Sequence, residues 1–167
     1  MASATAVREM PKTDSGIKLE MTRVIKAPRA KVFDAWIRPE TIRQWFGTAK
    51  TTTLLPETNP VVDGRYKIEM QGICPDAEAK RPHESVNNKT GVTGAYTKVS
   101  PYDLLQFTWA AQWAPDEISL VTLHFRDVDG GTELKLIHDR FSSEASRDGH
   151  RVGWTEAMEK LVAVLEA

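Results

Sequence analysis

The hydrophobic pattern of this chain changes from a period of two to a helical spacing near residue 143, and this change separates a strand-forming region from a final helix. From residue 50 onward apolar side chains recur at every second position, the spacing of half-buried strands, with turn residues between the segments. The strand candidates are residues 51–56, 65–71, 91–99, 104–113, 119–128 and 132–138. Because most of the connections are short, they predict an antiparallel meander.

The last segment, residues 143–166, has the spacing of an amphipathic helix, with Ser142 or Ser143 before it as a cap. Its apolar stripe consists of Trp154, Ala157, Met158, Leu161 and Leu165. Such a helix is roughly 35 Å long, enough to cross a small sheet. A meander of this size with one covering helix must curl around it. The pattern therefore predicts a groove or cavity between sheet and helix, which is a natural small-molecule site.

The sequence pattern of the N-terminal third predicts one strand at residues 17–26, followed by two short helices. Pro28 and Pro39 each suit a first helical turn, and Gly47 suits a helix end. We expect residues 1–16 to be a flexible tail and residues 17–167 to form a single domain.

One connection, residues 72–89, is long. It holds two prolines and many charges, so we expect it to be a mobile loop.

Charge and composition exclude several functional classes. The formal net charge of −1 gives no field that would attract nucleic acid. No apolar run reaches the ~20 residues that span a bilayer, so we expect no membrane insertion and a cytoplasmic location. No cofactor motif is present, and Cys74 with His83 makes a poor metal site. We therefore expect no cofactor, no metal, and a monomer or homodimer.

Several ordered stretches resemble one superfamily. The segment RVIKAPRAKVFDAW at 23–36, with PE at 39–40 and QWFG at 44–47, resembles the opening of SRPBCC (START/Bet v 1-like) proteins. Within it the match is closest to proteins named for the C-terminal domain of the Hsp90 ATPase activator. Further similar stretches follow in order at 64–66, 94–101, 119–122, 131–138 and 149–154.

The resemblance covers residues 17–167 and implies an α+β helix-grip fold. This is a curved antiparallel sheet of about six to seven strands around a long C-terminal helix, with two short helices after the first strand. The family implies a ligand cavity but no single chemistry, since members bind lipids, polyketides or hormones and some catalyse reactions. Two departures, the long 72–89 loop and Lys98 where many relatives are acidic, prevent the transfer of any relative's ligand.

Strand parity and helix spacing select the candidate ligand-binding residues. They are Arg23, Tyr66, Met70, Tyr96, Lys98, Trp109, His138, Trp154 and Met158. For the aromatic residues and the methionines, plain core packing is an equally good interpretation. Gly94, inside a strand, leaves room for a ligand, a bulge or the long helix close to the sheet.

Among these candidates, His138 and Arg23 each have both a functional and a structural interpretation. His138 is a weak catalytic candidate, since an imidazole moves protons near neutral pH, although a hydrogen-bonded structural histidine is the stronger interpretation. Arg23 can bind a ligand carboxylate or form a structural ion pair. Of the other histidines, we expect His150 at a surface or rim and His124 exposed.

Three functions are compatible with these patterns. The first is binding of a small hydrophobic or amphipathic molecule, which needs no catalytic constellation. The second is an enzyme of the cyclase, hydratase or hydrolase type acting in the same cavity. The third is an Hsp90 co-chaperone-like interaction module. That activity relies on an additional N-terminal domain in the family, and residues 1–16 are too few to supply one, so we rank it third.

Overall fold

An antiparallel sheet curls around one long helix in the computed structural model, which describes residues 14–167. The strands are β1 (Leu19–Ile25), β2 (Thr51–Thr53), β3 (Glu57–Thr58), β4 (Arg65–Gly72), β5 (Lys89–Ser100), β6 (Leu104–Ala111), β7 (Ser119–Val128) and β8 (Gly131–Asp139). The helices are α1 (Arg29–Asp34), α2 (Pro39–Trp45) and α3 (Glu144–Glu166). Two 3₁₀ helices, Asp76–Glu78 and Pro82–Glu84, lie between β4 and β5.

The sheet is the predicted meander, closed at one side by the first strand. Its order is β1-β8-β7-β6-β5-β4-β2, and the two-residue strand β3 also pairs with β4. The predicted α+β helix-grip architecture is confirmed. The sheet has one strand more than expected because the segment predicted at 51–56 ends at Thr53, and the chain pairs again with β4 at β3.

The concave face of the sheet carries the side chains that strand parity predicts. Alternate residues of β4, β6 and β8 are buried on this face, and they include Tyr66, Phe107 and His138. The register between β5 and β6 shifts between Tyr96 and Lys98, which marks a bulge that bends the sheet. The interior is therefore a curved aromatic surface that faces α3.

Helix α3 begins one residue after its predicted start. The Ser143 hydroxyl accepts a hydrogen bond from the Ser146 amide at 3.1 Å and so caps the first turn. The predicted stripe is buried, and Leu161 and Met158 have no exposed surface. The stripe packs this helix into the concave face of the sheet and closes the core.

The short helices α1 and α2 are tied to each other by a buried hydrogen bond, in which the Trp45 indole donates to the Ala35 carbonyl at 2.9 Å. The sharp turn after α2 uses Gly47 at φ +100°. A Cβ at Gly47 would lie 2.9 Å from the Met70 sulfur, so this position needs glycine for space as well. The turn brings the end of α2 close to β4.

The connection between β4 and β5, residues 73–88, is a hydrogen-bonded segment that we call the strap. The sequence predicts an irregular loop here, whereas the structure pairs its two arms: the Cys74 amide donates to the Glu84 carbonyl at 2.8 Å, and the Val86 amide donates to the Cys74 carbonyl at 2.8 Å. Hydrophobic periodicity could not predict this pairing, because apolar residues do not recur at regular intervals in the strap. Its mobility stays a prediction.

Two further expectations concern the ends of the chain and the membrane. The predicted flexible tail, residues 1–16, lies almost entirely outside the described residues. Between residues 14 and 167, the helices are too short or too polar to span a bilayer.

Candidate functional site

The space directly between the middle of the sheet and α3 is almost filled by aromatic rings. A void of about 20 Å³ remains there. Its walls include Tyr66, Tyr96 and Trp154, and the Tyr66 and Tyr96 ring centroids are 5.6 Å apart. A space of this size holds about one water molecule. Tyr66 and Tyr96 therefore border a void too small for an organic ligand.

Both tyrosines are built into this packing. The Tyr66 hydroxyl donates to the Thr108 carbonyl at 2.6 Å, and burial raises the pKa of the Tyr96 hydroxyl well above its ordinary value. Gly94 serves the same packing. A Cβ there would overlap the Thr108 carbonyl oxygen and lie 2.6 Å from the Tyr66 ring, so the close approach is made by β6 and Tyr66.

A much larger cleft of about 900 Å³ opens beside this void, between the strap, the sheet and the first half of α3. Five large apolar side chains form its wall: Phe46, Met70, Trp109, Trp113 and Trp154. Polar groups come from the strap, from the start of β5 and from the serines at the start of α3. The predicted site residues Met70, Trp109 and Trp154 meet here.

The cleft exists because one face of α3 carries no large side chains. Ala145, Gly149, Gly153 and Ala157 are spaced four apart, and all four line the cleft. A Cβ added at Gly149 would touch nothing within 4 Å, and one at Gly153 would lie 3.9 Å from a Thr48 methyl. Glycine inside a helix costs about 0.5–1 kcal/mol relative to alanine. The four-residue spacing of these small residues is a signal that the sequence itself contains.

His138 lies behind the cleft wall and is fully buried. The Trp154 indole donates to His138 Nδ1 at 3.0 Å, and His138 Nε2 is 2.7 Å from the Ser119 hydroxyl. Because an indole only donates, Nδ1 is unprotonated, and the neutral ring carries its proton on Nε2. Burial holds the pKa of His138 well below its ordinary value, with a smaller contribution from His150. Both ring nitrogens are engaged, as a structural histidine requires.

His150 is a second such histidine, and it borders the cleft. Its Nε2 accepts from the indoles of Trp109 at 3.2 Å and Trp113 at 3.3 Å, and its Nδ1 donates to the Ser146 carbonyl at 2.8 Å. Burial lowers its pKa, against the opposing effects of that carbonyl and of Glu117. Of the two expected positions, a surface or a rim, the structure agrees with the rim, because His150 lines the cleft while only 7% of the residue is exposed. Its spacing, four residues before Trp154, could have placed it on the buried stripe.

The remaining candidates lie apart from the cleft. Arg23 is half-buried on β1, where its guanidinium donates to the Thr22 carbonyl at 2.9 Å. Lys98 is exposed at the bulge of β5, and Met158 is fully buried in the core. Neither Arg23, Lys98 nor Met158 lines the cleft or the void. His124 is exposed, as expected.

The strap is held against α3 by a buried carboxylate and one arginine. Arg81 Nε donates to Glu84 at 2.8 Å, and Arg81 Nη2 donates to Glu156 of α3 at 3.1 Å. The Arg81 guanidinium and two backbone amides lower the pKa of Glu84 to about 2, against the effect of burial. Arg81, Pro82 and His83 then form the strap's side of the cleft.

Residues 14–167 contain no group of three or more His, Cys, Asp or Glu side chains that could hold a metal ion. The candidate site consists of the apolar cleft and its polar border.

Comparison with known proteins gives a family and a fold. The family described as activator of Hsp90 ATPase homolog 1-like protein matches residues 26–166. Protein CV1439 from Chromobacterium violaceum has a similar structure, with a TM-score of 0.77, 18% identity, and coverage of 90% of this chain and 97% of that one. The AHSA1 protein from Silicibacter pomeroyi has a TM-score of 0.70, 22% identity, and coverage of 89% and 97%.

A third similar structure is the AHSA1-like protein from Aeromonas hydrophila, with a TM-score of 0.67, 21% identity, and coverage of 88% and 90%. At these identities the likeness shows the fold alone. No curated protein matches this chain at a significant level.

Proposed function

This chain belongs to the family of activator of Hsp90 ATPase homolog 1-like proteins, and from that premise we propose that it binds a small hydrophobic or amphipathic molecule in the cleft beside α3. The observation that carries the proposal is the cleft itself. Its volume of about 900 Å³ falls in the range of small-molecule sites, about 300–1,000 Å³. Its apolar wall and few polar groups are the usual composition of such sites.

The row of small residues on α3 supports the same proposal. Filling Gly149 or Gly153 with a methyl group meets no close contact, so packing does not require glycine at either position. A helix that keeps two glycines where alanine fits gives up stability, and an open cleft is the gain that explains this loss.

Catalysis has no comparable support in the described residues. His138 is sealed behind Trp154 with both ring nitrogens bonded, and His150 is bonded at both nitrogens as well. A general base needs an available nitrogen within reach of its substrate. The family's name refers to Hsp90, but a concave apolar cleft favours a small molecule over a protein surface.

The proposal is tested with the neutral fluorescent probe N-phenyl-1-naphthylamine. We expect saturable one-to-one binding to the native protein. Gly153→Phe places a ring in the cleft without displacing backbone, so it should weaken binding at least about tenfold while the protein stays folded. Ala163→Phe, at an exposed position of the same helix, is the matched control and should bind normally. Absent binding, or equal binding by Gly153→Phe, would refute the cleft as the site.

A further inference from the structure

The charged residues that line the cleft are all basic. Among the described lining residues, Arg81 and Lys89 carry positive charge, and His83 and His150 are titratable, whereas aspartate and glutamate are absent. For a protein with 22 basic and 23 acidic residues, a wall of 23 residues with two cations and no carboxylate is one-sided. A wall whose charged side chains all have one sign favours a ligand of the opposite sign.

The carboxylates near these cations leave part of the charge available. Lys89 Nζ is 3.5 Å from Glu69, but the same carboxylate is 3.7 Å from Lys67, so one anion is shared by two cations. Lys89 is 49% exposed at its side chain, which leaves its ammonium hydrogens accessible. A ligand anion at Lys89 therefore meets a net positive charge.

Arg81 also keeps one donor group unused. Its Nε and Nη2 bind Glu84 and Glu156, while Nη1 donates no hydrogen bond to any residue between 14 and 167. The guanidinium is fixed in place by those two contacts, so Nη1 is held in position at the strap's side of the cleft. Because two carboxylates already balance the charge of Arg81, Nη1 offers a ligand oxygen a fixed hydrogen-bond donor at little entropic cost, and the surplus positive charge comes from Lys89.

His83, next to Arg81 in the cleft wall, supplies an independent sign of a missing partner. Its Nε2 is shielded from solvent and has no hydrogen-bond partner among the described residues. A buried polar atom without a partner is costly, and native proteins rarely keep one without a reason. A polar group of a ligand bound beside Arg81 would meet this need.

We propose that the cleft selects an anionic amphipathic molecule, whose apolar, ring-bearing body packs on Trp109, Trp113 and Trp154 and whose acidic oxygens bind Lys89 and Arg81. This inference rests on the proposed binding function and names the chemical class of its ligand. Indole faces suit flat apolar bodies, and lysine and arginine together suit a carboxylate, sulfonate or similar head group.

Two dyes that share one ring system provide the test. 1-Anilinonaphthalene-8-sulfonate carries a sulfonate, and N-phenyl-1-naphthylamine lacks it. Lys89→Met removes the cation but keeps an apolar side chain. Lys98→Met is the matched control, an exposed lysine of the same strand outside the cleft. Dissociation constants for both dyes are measured with each protein, at low and at high salt.

We expect Lys89→Met to raise the dissociation constant of the sulfonate dye about two- to fivefold, the range of a partly exposed ion pair. The dissociation constant of the neutral dye should not change. High salt should weaken the binding of the sulfonate dye only, because salt screens its attraction to the cations. Lys98→Met should change neither. If the neutral dye binds but Lys89→Met affects both dyes equally or neither, the anionic class is wrong and the binding function stands. If neither dye binds the wild-type protein, both the anionic class and the proposed binding function are wrong.

Discussion

The indole of Trp154 donates a hydrogen bond to Nδ1 of His138 across 3.0 Å, and this contact joins the long helix to the last strand. It also separates the cleft from the core, since Trp154 lines the cleft and His138 lies fully buried behind it. A second imidazole, His150, accepts from Trp109 and Trp113 in the same layer. Two neutral histidines thus hold three tryptophans in position to form the cleft wall.

Trp154→Phe tests this arrangement. The substitution leaves His138 Nδ1 buried without a donor, so we expect a loss of about 1–3 kcal/mol in the free energy of unfolding, measured with urea. Trp113→Phe is the control, because His150 keeps the Trp109 donor and Trp113 is 46% exposed. It should cost less than about 0.5 kcal/mol. Equal losses in both variants would mean that the hydrogen bond to His138 contributes nothing.

Stability should fall on mild acidification. The pKa values of His138 and His150 are lowered in the folded protein, chiefly by burial, whereas an unfolded histidine titrates near pH ~6.5. Below that pH the unfolded chain binds more protons than the folded one, so stability decreases as pH drops and is fully present above about pH 7. The expected slope is up to about 1.4 kcal/mol per pH unit for each histidine.

The measurement is urea unfolding at pH 7.5, 6.5 and 5.5 with His150→Gln and His124→Gln beside the wild type. His150→Gln should flatten the slope, because glutamine does not titrate. His124 is exposed on β7, so its substitution should leave the slope intact. A wild-type stability that is constant over this range would contradict the neutral, buried state of both rings.

Much of the fold can be predicted from the sequence because buried side chains recur at regular intervals along the chain. Strand β7 begins and ends where alternation predicts, and α3 begins one residue after its predicted boundary. The residues that line the site are harder to predict from the sequence. Whether Tyr96 borders a ligand or another ring depends on how far the sheet closes, which involves residues distant in sequence such as Phe107. Strand parity gives the face of a residue, but it does not give the space in front of it.

The sequence predicts a groove between sheet and helix, but not its position beside the strap, because the residues that define this position give small or nonperiodic signals. Gly149 and Gly153 define it by lacking side chains, and the strap that completes it is held by Arg81 rather than by an apolar repeat. The anionic partner of Arg81 on α3, Glu156, is 75 residues away in the chain. The sequence contains many carboxylates that could pair with Arg81, and only the fold shows which of them lies close to it.

Gly149→Ala should stabilise the protein while narrowing the cleft. The added methyl group meets no atom within 4 Å, and alanine is the better helix former, so we expect a gain of about 0.5–1 kcal/mol in urea unfolding. Gly94→Ala is the opposing control, since its methyl group would overlap the Thr108 carbonyl oxygen and should destabilise the fold. A loss of stability in Gly149→Ala would show that this face of α3 is packed after all.

Arg81→Met should release the strap from α3. The variant loses the bonds to Glu84 and Glu156, and it leaves the buried Glu84 carboxylate without its cation. We expect faster hydrogen exchange of the Cys74 and Val86 amides, which pair the two arms of the strap. Arg126→Met removes an exposed ion pair on β7 and is the control. Unchanged exchange in Arg81→Met would mean that the arms hold each other without Arg81.

The most direct test of a ligand-binding cleft uses the indole N–H signals of the protein in a ¹⁵N-labelled sample. All five tryptophans are informative, because Trp109, Trp113 and Trp154 line the cleft, while Trp36 and Trp45 line only the small void. During titration with N-phenyl-1-naphthylamine, we expect the signals of Trp109, Trp113 and Trp154 to shift in proportion to occupancy and that of Trp45 to move least. Unchanged spectra, or the largest shifts at Trp36 and Trp45, would contradict binding in the cleft.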